Sequence, residues 1–233
     1  MYDALLLDHD GVIVELLALE SLESGILSYG KPCYTELGIE PDAALREALS
    51  IGATADEIQQ LARSHAVDVS ALWRCRDDAA ERTLCEATRA GEKDPYGDVS
   101  VLESVELPIG IASNNQKRIV EFILSHHGLT HLFETVWGRE PTIESLSRKK
   151  PAPTYLLGAM DDMGVENPLY VGDSETDVIA ANRAGVDCAF IRRAHNAERE
   201  LSVDPTYEIT GLDGAVSVLD DATEATVPQK QTD

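Results

Sequence analysis

The sequence predicts an α/β fold, a parallel sheet with helical crossovers that is interrupted after its first strand by a block of helices. Three observations carry this. Apolar runs of three or four residues at 5–7, 109–112 and 169–171 each stop abruptly at a loop of small polar residues, as strands buried on both faces do. Downstream of residue 100, strand-like runs near 109–112, 135–138, 169–171 and 186–191 alternate with helical patterns near 115–127, 153–163 and 174–184. Between Val14 and the second strand, about eighty residues read almost entirely as helix.

In chain order, Leu5 to Leu7 form the first strand and deliver Asp8-His9-Asp10-Gly11 to its carboxyl end. Open α/β sheets place ligands at that edge. Alternate residues of an extended chain share a side, so Asp8 and Asp10 can converge on one cation or substrate, with His9 turned away as a packed core histidine. Asp and Gly also form ordinary turns, so this motif alone specifies no chemistry. The helical insert shows apolar residues at helical spacing in Leu45, Leu49, Ile58, Leu61, Leu72 and Leu84. Turn signals stand at Gly30, at 38–41 and at Gly52. Thr54, with Glu57 three residues on, is a capping-box start. Ala90 to Tyr96 reads as the linker returning to the sheet. The expected organisation is a core of residues 1–14 and 97–221, a helical cap of residues 15–96, and a polar, disordered tail from 222 to 233 that contains Pro228.

Three further segments follow in order. Ser113-Asn114-Asn115 ends the second strand, Lys149-Lys150-Pro151-Ala152-Pro153 opens a helix, and Gly172-Asp173-Ser174-Glu175-Thr176-Asp177 follows the 169–171 strand. With Asp8-His9-Asp10-Gly11, these four segments resemble the signature motifs of the haloacid dehalogenase superfamily in its phosphatase branch, similar to phosphoglycolate phosphatases and β-phosphoglucomutase. The resemblance runs from Leu5 to about Leu219. It implies a Rossmann-like sheet ordered 3-2-1-4-5 with an inserted helical cap.

The resemblance also implies roles. Asp8 is the nucleophile that forms an aspartyl-phosphate, and Asp10 is the general acid and then base. Magnesium is the expected cofactor, held by Asp8, the Asp10 backbone carbonyl and Asp173, with Asp177 in support behind them. The plainer explanation for Asp173 and Asp177 is capping of the next helix by Asp173 or Ser174. Ser113, Asn114 and Lys150 are the phosphate-binding residues; Lys150 rather than Lys149 is chosen because it directly precedes the proline. His9 and the run Val14-Glu15-Leu16-Leu17 depart from the family's usual pattern, which weakens assignment to a substrate subfamily. In the cap, Arg74, Arg76, Lys31 and Tyr34 are candidates for contacts to a carboxylate or sugar. His126-His127 sits at a helix end, where the dipole accounts for it. The implied function is a magnesium-dependent phosphatase of small phosphorylated metabolites. The alternatives are a phosphomutase of the β-phosphoglucomutase type and a non-catalytic binding or regulatory protein on the same fold.

No stretch approaches the roughly 20 apolar residues of a membrane helix, and no basic segment precedes the first hydrophobic run. A soluble, cytoplasmic protein is expected, as a monomer or homodimer. The cysteines, Cys33, Cys75, Cys85 and Cys188, show no C-x-x-C pair or zinc spacing. Cys75 and Cys85, expected on one helix, would stand roughly 15 Å apart. All four are expected to be reduced thiols.

The chain carries 42 acidic and 19 basic residues, a net charge of −23, with six lysines among the bases. Such a surface repels phosphate backbones, which excludes nucleic acid as an expected partner. The acidic residues are spread along the chain, a composition that resembles proteins of salt-accumulating, halophilic cells. Self-repulsion of this size weakens the compact state until salt screens it. The melting temperature is therefore expected to rise steeply between dilute buffer and molar salt. A flat or falling curve would refute that account.

Overall fold

The computed structural model describes residues 1–40, 45, 49 and 52–224. Six parallel strands form one sheet in the order β3-β2-β1-β4-β5-β6: β1 (Leu5–Leu7), β2 (Ile109–Gln116), β3 (Thr135–Arg139), β4 (Leu169–Gly172), β5 (Cys188–Ile191) and β6 (Tyr207–Ile209). The expected order of five strands is present, and a sixth is added at the edge. It pairs with β5 through Ala189 opposite Tyr207. Its Tyr207 and Glu208 are exposed, so β6 has no apolar run to betray it.

The middle of the sheet is fully enclosed. Leu5, Leu6 and Leu7 are each 0% exposed, and they alternate between two cores. Leu5 and Leu7 join Ile111, Val171 and Ile191 beneath α4 (Lys117–His126) and α7 (Leu212–Glu224), through Ile119, Ile123, Leu212 and Leu219. Leu6 joins Tyr170 and Phe190 on the other face, against Tyr155 and Leu156 of α5 (Thr154–Met163) and Val178 of α6 (Glu175–Ala184). Helices on both faces are what make β1 a continuous apolar run rather than an alternating one. Close packing also fixes Gly110, opposite Leu6 in the ladder, where a Cβ would stand 2.8 Å from a Leu6 methyl.

Between β1 and β2 lie α1 (Leu19–Glu36), α2 (Ala55–Ser64) and α3 (Val69–Arg89). The capping box at Thr54 and Glu57 starts α2. Tyr34, Leu45, Leu49, Ile58, Leu72 and Trp73 form a separate core, completed by Ile143 from the segment after β3. Gly30 is not at a turn. It lies inside α1, where the Tyr34 ring packs on it so closely that a Cβ would stand 2.5 Å away. Of the turn signal at 38–41, Gly38 follows the end of α1, and Pro41 lies outside the described residues. The two passages between insert and sheet run side by side: Glu15 N–H donates to the Asp94 carbonyl and Tyr96 N–H to that of Ile13.

Two expectations are corrected. The tail was expected to lose structure at 222, but α7 continues through Glu224 and Ala222 packs on the core; 225–233, with Pro228, lies outside the described residues. Cys33 and Cys75 are not free thiols but form a disulfide between α1 and α3, with Cα atoms 5.7 Å apart. The spacing argument tested Cys75 only against Cys85 on its own helix, and side-by-side packing of two helices brings Cys33 to it instead. Cys85 and Cys188 are free and buried. Among the described residues, no helix is long and apolar enough to cross a membrane.

A cross-link across a separation of 42 residues constrains the unfolded chain. Reduction is expected to cost about 2–4 kcal/mol of stability. Urea unfolding with and without reductant checks this, and coincident transitions would count against the bond.

Candidate active site

Asp8, Asp173 and Asp177 meet at the carboxyl edge of the sheet, with one ligand atom of each within 4.8 Å of the others. The strand ends bring them there. Asp8 N–H still donates to the Val171 carbonyl of the neighbouring strand, and Asp173 follows β4 directly. Gly11 must then turn beneath Asp173. Its φ is +79°, and a Cβ would sit 2.1 Å from an Asp173 carboxylate oxygen, so both conformation and space demand glycine.

Three buried carboxylates repel one another, and Lys150 offsets them. Its Nζ lies 2.8 Å from Asp8 Oδ2 and 2.7 Å from Asp177 Oδ1, and it donates to the Tyr170 hydroxyl at 2.8 Å and the Ala112 carbonyl at 3.1 Å. Tyr170 in turn donates to Asp177. Asp177 is also the helix-start acid: it accepts from Ser174 N–H and from Ser174 Oγ–H, closing a capping box with Ser174 as N-cap. The expected capping of this helix by Ser174 is present, with Asp177 closing the box.

Charge is unevenly shared. Burial pushes Asp8 up to about 8, against the pull of Lys150 and with the push of Asp177 and Asp173. Burial, and then Asp177, likewise raises Asp173 to about 7. Asp177 goes the other way, because Lys150, Ser174 and Tyr170 outweigh its burial. Two carboxyls that resist ionising, next to a third that is anionic, make an all-oxygen set fitted to a small hard cation.

Ser113 and Asn114 lie on β2 rather than after it. The strand continues to Gln116, with its register against β3 broken between Ala112 and Gln116. That irregularity re-aims the side chains. Ser113 is buried and accepts from Asn115 N–H. The Asn114 side chain grips the Lys150 backbone, accepting from its N–H at 2.7 Å and donating to its carbonyl at 3.3 Å. Asn114, expected to bind phosphate, also lines the cavity described below.

Asp10 is held by residues the sequence did not mark. Lys93, from the return linker, is 1% exposed and pairs directly with Asp10, and Asn115 donates to its other oxygen at 3.0 Å. Burial alone would raise Asp10, but Lys93 drives it well below the usual carboxylate range. His9 does not face away from this group: its Nδ1 lies 3.4 Å from Asp10 Oδ2. Both its ring nitrogens are buried without a hydrogen bond, and burial keeps it neutral. His127 reaches the Lys93 carbonyl at 3.0 Å. Also unmarked were His195, 2.6 Å from Asp173 Oδ2, and Asn196, which donates to the Asp173 carbonyl.

Above the acidic centre is a cavity of about 260 Å³. Asp8, Asp10, Lys93 and Ser113 line it from the sheet edge, and Trp73, Arg76 and Leu84 from α3. Of the cap candidates, Arg76 lines it, Tyr34 is buried in the insert's core, and Lys31 and Arg74 are exposed. Lys149 also lines the cavity while Lys150 is the residue between the carboxylates.

A family model described as haloacid dehalogenase-like hydrolase matches residues 94–191. Phosphoglycolate phosphatase 1 of Pseudomonas aeruginosa is 28% identical over 232 residues, covering 95% of this chain and 81% of that protein. The phosphoglycolate phosphatase of Neisseria gonorrhoeae is 31% identical over 137 residues, covering 58% of this chain and 55% of that one. Among solved structures, a haloacid dehalogenase-like hydrolase of Streptococcus pneumoniae superposes with a TM-score of 0.63 at 15% identity, covering 94% of this chain and 98% of that chain. CbbY of Rhodobacter sphaeroides gives 0.63 at 17% identity, covering 92% and 99%. The last two are likenesses of fold. Fold, acidic centre and sequence likeness together define an α/β enzyme. Residues 94–191 match the haloacid dehalogenase-like hydrolase model, and over nearly its whole length the chain is similar in sequence to a phosphatase.

Removing Lys93 would leave Asp10, 23% exposed at the cavity wall, without its cation. Lys93→Met is expected to cost about 1–3 kcal/mol. A loss under about 1 kcal/mol in urea unfolding, the size of an exposed pair, would show that the contact is solvated.

Proposed function

We propose that the protein is a phosphatase of small phosphorylated metabolites that works through an aspartyl-phosphate on Asp8. The observation that carries this is the Asp8–Lys150–Asp177 arrangement beside Asp173 at the mouth of a small cavity, joined to sequence likeness to phosphoglycolate phosphatases.

Asp8 attacks phosphorus, forming the aspartyl-phosphate bond while the bond to the leaving alcohol oxygen breaks. Lys150 offsets the charge of nucleophile and phosphate as it spreads over the transferring oxygens. Ser113, buried at the same edge, offers a hydroxyl to those oxygens. Asp10 protonates the leaving alcohol and then takes a proton from the water that hydrolyses the aspartyl-phosphate. Lys93 holds Asp10 as the anion, the form that second step needs. An arriving phosphate dianion raises its proton affinity again for the first step.

Asp8 and Asp173, with the Asp10 backbone carbonyl, would hold magnesium, which would offset the repulsion between carboxylates and phosphate. Leu22 of α1 and Trp73, Arg76, Ala80 and Leu84 of α3 line the cavity, the place from which a cap would exclude water during transfer.

Phosphate release from a panel of phosphorylated metabolites, at high salt with magnesium, tests the proposal. Asp8→Asn is expected to abolish release from every ester while the protein stays folded, and chelation is expected to silence the wild type until magnesium is restored. Substantial activity in the folded variant, or in a rigorously metal-free sample, would sink the mechanism. Efficient conversion of a hexose 1-phosphate to its 6-phosphate with little phosphate release would move the assignment to a phosphomutase.

A further inference from the structure

Asp173 is the member of the acidic centre that Lys150 does not pair with. The ammonium takes Asp8 and Asp177. Among the described residues, the one side chain that hydrogen-bonds the Asp173 carboxylate is His195, with Nε2 2.6 Å from Oδ2. Gly11 lies against the same oxygen, since a Cβ there would stand 2.1 Å from Oδ2 and 3.3 Å from Oδ1. Both neighbours act on Oδ2, which leaves Oδ1 as the less encumbered oxygen.

The loop that carries His195 follows β5 and is anchored without that hydrogen bond. Asn196 is 2% exposed, and its amide donates to the Asp173 carbonyl at 2.7 Å and to the Ile191 carbonyl at 3.0 Å. The Asn196 side-chain oxygen accepts from Arg193 N–H at 2.7 Å. Arg193 reaches the other way. Its two arms meet Asp98 at 2.8 and 3.0 Å, it donates to the Val12 carbonyl at 3.0 Å, and its guanidinium carbon stands 4.0 Å from the centre of the Tyr96 ring. Arg192 closes the loop by donating to the Arg199 carbonyl at 2.6 Å. A loop fixed at so many points does not need the His195 side chain to hold it down. The restraint runs from the loop to the carboxylate.

The chemistry of a cation ligand gives that restraint a use. A carboxylate that holds a cation has lost its proton, so in that state the shared proton is on Nε2 and His195 donates, whatever the charge of its ring. A donor on one oxygen fixes the rotation of the carboxylate, and with it the direction in which the other oxygen points. Asp8, Asp173 and Asp177 offer ligand atoms within 4.8 Å of one another, and their mutual repulsion would turn an unrestrained Asp173 away.

We propose that His195 is a positioning residue for a divalent cation: it fixes Asp173 Oδ2 so that Oδ1 meets an ion shared with Asp8, while Asn196 holds the Asp173 backbone in register with the loop. The proposal rests on the reading of Asp8 and Asp173 as cation ligands.

Magnesium binding to the full chain, followed by calorimetry without substrate, tests it apart from turnover. His195→Ala is expected to weaken binding by about 10- to 100-fold, the usual effect of removing a partner that orients a metal ligand. His195→Phe keeps a ring of similar size without a donor and is expected to lose as much. His195→Gln, whose amide can donate, is expected to recover part of the loss. Circular dichroism identifies the folded variants, and the comparison of Phe with Gln decides the matter if the alanine variant does not fold. Asp173→Asn shows what loss of the ligand itself does. Equal affinity in the wild type and His195→Phe, with binding lost in Asp173→Asn, overturns the proposal and leaves the cation reading standing. Equal weakening by Phe and Gln overturns it as well, because the donor would then be irrelevant. A wild type that binds no magnesium, or binding undiminished in Asp173→Asn, overturns the cation reading and this proposal with it.

Discussion

Two carboxylates cannot share a buried pocket unless something positive stands between them, and here Lys150 does so, reaching Asp8 and Asp177 within 2.8 Å. Much of the surrounding architecture serves to keep that ammonium in place. Asn114 grips its backbone from β2, Tyr170 and the Ala112 carbonyl share its remaining donor, and Ser174 fixes Asp177 from the helix start. Removing one member of such a set costs more than its own hydrogen bond, because the others are left buried and unsatisfied.

Asp8 and Asp10 are two residues apart and chemically identical, yet the structure gives them opposite proton affinities. Asp8 is raised by its burial and its acidic neighbours, whereas Asp10 is lowered by Lys93. Pairs of titratable groups pushed apart in this way are how one site assigns distinct roles to like side chains. The separation comes from topology: Lys93 arrives from the far end of the helical insert and Lys150 from the loop before α5, so no local segment contains the information.

The sequence made the strand ends legible because burial on both faces leaves uninterrupted apolar runs, and the polar residues after them stand at fixed offsets. Asp8, Asp10 and Asp173 stand at such strand ends, while their roles and the choice of Lys150 came from the family resemblance; the structure places Lys150 against Asp8 and Asp173 close to Asp8. Lys93 could not be named, since it reads as an ordinary surface charge until tertiary packing buries it. The one available signal was scarcity: with six lysines in the chain, any lysine in a short linker is unusual. β6 escaped because an exposed edge strand lacks the apolar pattern, and the Cys33–Cys75 bond because its partners lie on different helices.

The insert's separate core, centred on Tyr34, Ile58 and Leu72 and cross-linked by Cys33 and Cys75, has an evolutionary consequence. Trp73 of α3, which faces the cavity, is supported by that core, while the acid centre is supported by the sheet. A lineage can therefore exchange the insert's cavity-lining side chains and absorb the damage within one small module, leaving the bond-breaking apparatus unperturbed. Mutational tolerance and chemical constancy are thereby assigned to different parts of the same chain.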